Sequence, residues 1–226
     1  MNLGIFSSNV EYGARPDELA RATEERGFES FWVGEHTHIP AGRQTPYPGG
    51  EPLPKPYYHM ADPFVSLMAA AAATTTIKLG TGTPFDRRWR VLRERVLAMT
   101  VGEFVNFDRA ISYPKPAQTP HPPILFGGAT AQGRARVVEY CDGWIPIDVL
   151  LDDLPAAIAD LRRRAEAAGR RPDDLSVSVF AFQPPAPDAV KRMQDMGVER
   201  VTLVAPRRLA DALPCLDHMA RLQAPR

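Results

Sequence analysis

Within Phe31-Trp32-Val33-Gly34-Glu35-His36-Thr37-His38-Ile39-Pro40, a carboxylate and two imidazoles follow directly on an apolar, β-prone run. Imidazole titrates near neutrality, so His36 is a candidate general acid or base, with Glu35 beside it. His36-Thr37-His38 also has the H-x-H form that binds a catalytic metal at a strand end in hydrolase barrels. That reading needs further ligands from later strands. His59 and His121 fall in proline-rich loops and His218 in the last helical stretch, so no metal ligand set is assigned. The plainest alternative is a loop histidine bonded to neighbouring backbone.

A second constellation is Gly127-Gly128-Ala129-Thr130, between a short apolar run and a helical pattern. Two glycines let backbone amides approach a phosphate closely, and a helix start adds its dipole and free N–H groups. The same residues also make an ordinary tight strand-to-helix turn. Arg134 and Arg136, a turn further on, can reach an anionic tail or stay in solvent.

Both constellations need strands to carry them. Leu3 to Phe6 is a short apolar strand, and Pro16 to Arg26 a helical pattern opened by proline and stopped by Gly27. With the strand at Phe31 they form a βαβ unit, whose parallel strands end on one face. The Pro/Gly-rich stretch 41–59 reads as a loop over the strand ends or as a disordered segment. Asp62-Pro63 opens a helix expected to run through Thr76, and Ile77 to Thr81 is the next strand.

An arginine-rich helical pattern with Trp89, Leu92, Val96 and Met99 follows, then a β-like Gly102 to Phe107 and a proline-rich crossing at Pro114 to Pro123. Further strands are expected at Ile124, Trp144, Ser176 and Arg200, with helices at 130–140, 152–168, 187–196 and 207–222. Pro214 should split or restart the last helix. Strand then helix repeats seven times, against the eight units in ~250 residues of a closed (β/α)₈ barrel. The expected fold is therefore a TIM-type barrel shortened by one unit, with residues 1–226 as a single domain.

Composition narrows the functions. The chain has 226 residues, 44% of them hydrophobic, and Lys plus Arg equals Asp plus Glu at 27 each. No global field draws it to nucleic acid or an anionic membrane. The arginine-rich helix reads as the wet face of a packed helix rather than a nucleic-acid surface. No apolar run approaches the ~18 residues of a membrane span, and Cys141 and Cys215 sit outside any metal spacing. Cytoplasmic location is the expectation.

In their order, Leu3 to Phe6, Phe31 to Pro40, Asp62 to Thr76, Ile77 to Gly82, Arg87 to Met99, Gly102-Glu103-Phe104, Pro120 to Gly128 and Asp142-Gly143-Trp144 resemble the luciferase-like monooxygenase family. The resemblance is to its branch using the deazaflavin coenzyme F420. It implies a dimeric TIM-type barrel holding F420, or alternatively FMN, at the C-terminal strand ends, and hydride transfer with a small organic substrate.

By resemblance, Glu35 and His36 face the redox ring with His36 as acid/base. Gly82 and Thr83 form a strand-end bulge that supports the ring, and Gly127 to Thr130 cradle the phosphate. The sequence departs from the family at Gly82-Thr83-Pro84-Phe85, which passes directly from the third strand toward the arginine-rich helix. One βα unit, about 30 residues or more, is absent there, and a shorter loss falls between Met99 and Gly102. A relative that binds the ring or pairs with a full-length homologue without turning over is the alternative.

Overall fold

The structure, a computed structural model, describes residues 1–36, 39, 52–82, 98–100, 107–110 and 117–223. It divides into two compact units, one built from Met1–Thr83 with Leu125–Arg226 and one from Pro84–Ile124.

In the first unit, strands β1 (Asn2–Ser7), β2 (Ser30–Gly34) and β3 (Lys78–Gly82) alternate with helices α1 (Pro16–Glu25) and α2 (Pro63–Ala73). Its later part runs β6 (Leu125–Phe126), α3 (Ala131–Tyr140), β7 (Gly143–Trp144), α4 (Leu154–Ala167), β8 (Ser176–Ala181), α5 (Pro187–Asp195), β9 (Arg200–Val204) and α6 (Leu209–Ala220). The second unit holds β4 (Ala98–Thr100) antiparallel to β5 (Phe107–Ala110). Ala98 and Met99 are thus in a strand, although their spacing continued a helical pattern.

Seven parallel strands form one curled sheet in the order β3-β2-β1-β9-β8-β7-β6, a half-barrel. The first strand lies between the second and the last, so the chain's ends close on each other as in a barrel. Among the described residues only the step from β3 to β6 is unjoined, where a closed barrel would seat its fourth strand.

Strand alternation sorts the faces. Leu3, Ile5, Phe31, Val33, Val179, Val201 and Leu203 are buried on one face. The other face is mixed, with Gly4, Ser30, Trp32, Ser178, Arg200 and Thr202. There Arg200 reaches Glu29 through two 2.7 Å hydrogen bonds and Ser178 Oγ at 3.2 Å. Trp32 donates to Ser30 Oγ, and its ring lies so close to Gly80 that a Cβ there would come within 2.3 Å of it.

Helix ends follow their chemistry. Asp62, Thr130 and Asp153 cap α2, α3 and α4 by accepting from first-turn amides. Gly27, Gly169 and Gly197 follow α1, α4 and α5 at φ of 75°, 73° and 86°, the left-handed stop that glycine adopts freely. α2 ends at Ala73, three residues short of the expected Thr76. The Glu24 carboxylate takes the amides of Thr75, Thr76 and Ile77 instead, which lowers its pKa to about 2. Pro214 sits inside an unbroken α6, where the burial of Ala212, Leu216 and Met219 holds the helix across the missing N–H.

Candidate functional site

Because all seven strands are parallel, β2, β3 and β6 deliver their following residues to one end of the sheet. Glu35 and His36 follow β2, Gly82 ends β3 paired with Gly34, and Gly127 to Thr130 follow β6. The candidate residues therefore share an end and differ in which strand carries them. Thr83 and His38 lie outside the described residues.

Glu35 is 5% exposed, and neither carboxylate oxygen has a hydrogen-bond partner among the described residues. Buried polar atoms are nearly always paired, and an unpaired carboxylate is among the most destabilising groups to bury. Such an orphan marks a place where a ligand's donor fits. His36 is more exposed and packs against Tyr57 with ring centroids 5.0 Å apart. Desolvation lowers its imidazole below the ordinary 6.5, while the nearby charge of Glu35 acts the other way without cancelling it. The neutral, proton-accepting ring is favoured.

The β2 tip is held by Asn9, which no motif in the sequence singles out. Asn9 is buried just beyond β1 at φ 51°, a conformation that asparagine tolerates better than most residues. Its side-chain amide donates to Gly34 O at 3.4 Å and Ala61 O at 2.9 Å, and its backbone carbonyl accepts from Ala61 N at 2.7 Å. It thereby ties the tips of β1 and β2 to the start of α2. An asparagine just past an apolar strand was the available signal.

Among the described residues, nothing lies within 4 Å of a Cβ on Gly82 at the β3 tip. Gly127 has one neighbour within 4 Å among the described residues, Ile145 O at 3.5 Å. Gly128 has a packing role, since a Cβ would come within 2.4 Å of the Phe126 ring and 3.3 Å of Gly133. Its carbonyl accepts from the Trp144 indole at 2.8 Å. Thr130 Oγ1 accepts from Gly133 N, which leaves the Ala131 and Gln132 amides of the first turn without an acceptor among the described residues.

Arg134 is committed elsewhere. It pairs with Asp160 at 2.7 Å and donates to Ala129 O at 2.8 Å, so its expected alternative as an anion contact gives way to a structural tie between α3 and α4. Arg136 stands over the Phe126 ring at 5.9 Å. No group of three or more His, Cys, Asp or Glu that could hold a metal occurs among the described residues.

A profile of the luciferase-like monooxygenase family matches residues 1–84 and 82–209. Uncharacterised proteins of Mycobacterium tuberculosis and Mycobacterium bovis are each 32% identical over 271 aligned positions, covering 93% of this chain and 94% of theirs. The chain belongs to the luciferase-like monooxygenase family. The two profile segments meet at residues 82–84, where β3 ends, and 271 positions exceed the 226 residues available, so the alignment crosses gaps in this chain.

Similar solved structures include an F420-dependent secondary alcohol dehydrogenase in complex with an F420-acetone adduct, at TM-score 0.68, 15% identity and 98% of both chains. Another is a monooxygenase from Streptomyces bottropensis, at TM-score 0.70, 15% identity and 98% of both. A third is the F420-dependent tetrahydromethanopterin reductase of Methanopyrus kandleri, at 0.68, 13% and 97% of both. At these identities the likeness is one of fold.

Proposed function

We propose that the chain is an oxidoreductase that moves hydride between coenzyme F420, or FMN in its place, and a small organic substrate. The observation that carries this reading is the buried, unpaired carboxylate of Glu35 at the strand-end face of a luciferase-like barrel. The coenzyme, when bound, supplies the carbon that accepts or returns the hydride. Its ring and side chain offer N–H and hydroxyl donors that Glu35 can accept, and its phosphate matches the open Gly127 with the Ala131 and Gln132 amides. Gly82 at the β3 tip, next to Thr83 in sequence, is placed beside the ring in this reading.

His36 takes the hydroxyl proton from an alcohol as it is oxidised, or returns one to a carbonyl as it is reduced. Its lowered pKa keeps the accepting form populated at neutral pH. Glu35, which makes no hydrogen bond to the His36 imidazole, is left to contact the ring, and Asn9 fixes the backbone that carries both. The solved relative with an F420-acetone adduct supports an alcohol and ketone pair as the substrate class.

Two further proposals concern its setting. The outer face of α2, with Phe64, Val65 and Met68 between 65% and 71% exposed and no charge, supports pairing with a second copy. No helix among the described residues is long and apolar enough to cross a membrane, and the thiols of Cys141 and Cys215, which form no disulfide, suit the cytoplasm.

A second reading, a binding protein without turnover, is favoured by the β3 and β6 edges, which are unjoined among the described residues. Titration with F420, FMN and zinc separates the cases, followed by a hydride-exchange assay with secondary alcohols. Saturable deazaflavin binding with turnover is expected. Binding without exchange leaves only the second reading, and zinc binding alone contradicts both.

A further inference from the structure

Beyond the residues given a role so far, a cavity of about 400 Å³ opens between the ends of β1 and β9, lined among others by Ser8, Pro206, Arg207, Arg208 and Asp211. The geometry points to this cavity as a subsite for an oxyanion group, a carboxylate or phosphate, on the substrate of the proposed reaction. The assignment rests on that reaction for the word substrate. It rests on the cavity and its two arginines for the anion.

Most arginines elsewhere in the described structure are engaged, with Arg21 on the exposed side of α1 an exception. Arg200 holds Glu29, Arg134 and Arg164 share Asp160, Arg26 meets Asp217, and Arg170 donates to three carbonyls. Arg207 and Arg208 are neighbours with no side-chain partner among the described residues, although Asp211 lines the same cavity. Their backbones are nevertheless fixed. Arg207 O accepts from Ala14 N at 2.6 Å, and Arg208 O accepts from Asp211 N and Ala212 N at the start of α6. Adjacent cations on a fixed backbone, beside the Ser8 hydroxyl, suit an acceptor-rich planar or tetrahedral anion, which guanidinium binds with charge-assisted hydrogen bonds.

Register sets the scale of the ligand. Phe6 of β1 pairs with Val204 of β9 on one side and Trp32 of β2 on the other, so the cavity and the Glu35-His36 tip stand just past the same level of the sheet. β9 and β2 are two strand spacings apart, on the order of 10 Å. That span suits a small hydroxy or keto compound whose reacting carbon lies several bonds from its anionic group.

The test begins without coenzyme, so its outcome is independent of the redox reading. Inorganic phosphate and acetate are titrated calorimetrically into the wild type, the double variant Arg207→Gln/Arg208→Gln, and Arg21→Gln on the exposed side of α1 as control. The expected result is saturable binding in the wild type and control, weakened about tenfold or more in the double variant. Absent binding in the wild type, or equal binding in the double variant, overturns the subsite. F420 titration then separates the anion's sources. An unchanged F420 affinity in the double variant is expected, and a matching loss would give the cavity to the coenzyme's own phosphate and overturn the substrate assignment.

Discussion

Glu35 has no hydrogen-bond partner among the described residues, and a carboxylate buried that way forfeits much of its hydration, a cost to the fold that carries it. Glu35→Gln should therefore raise stability of the ligand-free protein, by about 1 kcal/mol or more, while weakening deazaflavin binding; thermal unfolding and a titration read the two effects. A loss of stability would show that the carboxylate is satisfied in the folded chain. The lowered pKa of His36 predicts that the acid limb of the pH–rate profile falls below pH 6.5, where the imidazole takes up its proton. Glu29 behaves differently. Burial would raise its pKa, but the bonds from Arg200 and Lys78 outweigh that and hold it at about 2, against 4.5 unperturbed. Its contribution to stability is complete above pH 4.5 and is lost as the pH falls toward 2. Arg200→Ala, which leaves the part-buried Glu29 carboxylate with Lys78 as its remaining ionic partner, should cost about 1–3 kcal/mol in denaturant unfolding. Glu35 and His36 were legible as residue types at a strand end. Asn9 was not, because its importance lies in a backbone angle and two carbonyls that only folding brings within reach.

α2 shows how an element can be read correctly and still surprise. Asp62-Pro63 announced its start, and Asp62 does accept from Phe64 N and Val65 N at 2.9 Å. Its C-terminal end was misplaced because Thr75 and Thr76 spend their amides on Glu24, 51 and 52 residues away in sequence. Periodicity carries no trace of such a partner. The helix is apolar around nearly its whole circumference, yet only Pro63, Ser66 and Ala70 are buried. A helix of that character is normally enclosed. Val65→Asp with Met68→Asp should convert a dimer to a monomer in sedimentation with little change in the monomer's fold, and a dimer that persists would place the interface on another face. Gly128 carries the same lesson from the opposite side. The Gly-Gly pair suggested a phosphate cradle; Gly128 packs against Phe126 and Gly133, whereas Gly127 has one neighbour within 4 Å among the described residues, Ile145 O.

At the scale of the molecule, the count of seven parallel strands and the place of the missing unit were legible because turn residues punctuate the strands and several helices open on a proline or a capping side chain or stop at a glycine. The sheet order agrees, with its unjoined step between β3 and β6. What lies between Gly82 and Leu125 was not legible, since one arginine-rich pattern is compatible with more than one element and Ala98–Thr100 proved to be strand. Central strands should be the last to open, so amides of β1 and β9 should exchange with solvent more slowly than those of β3, whose outer edge is unpaired among the described residues. The proposed chemistry requires one hollow bordered by both the β2 and β6 tips. The most direct measurement compares F420 affinity and hydride exchange in the wild type, His36→Ala and Gly127→Val. Gly127→Val should weaken F420 binding about tenfold or more, because its side chain enters space left open for the phosphate, whereas His36→Ala should bind normally and exchange hydride at least about a hundredfold more slowly. Unaltered F420 binding by Gly127→Val, or normal exchange by His36→Ala, would contradict that requirement.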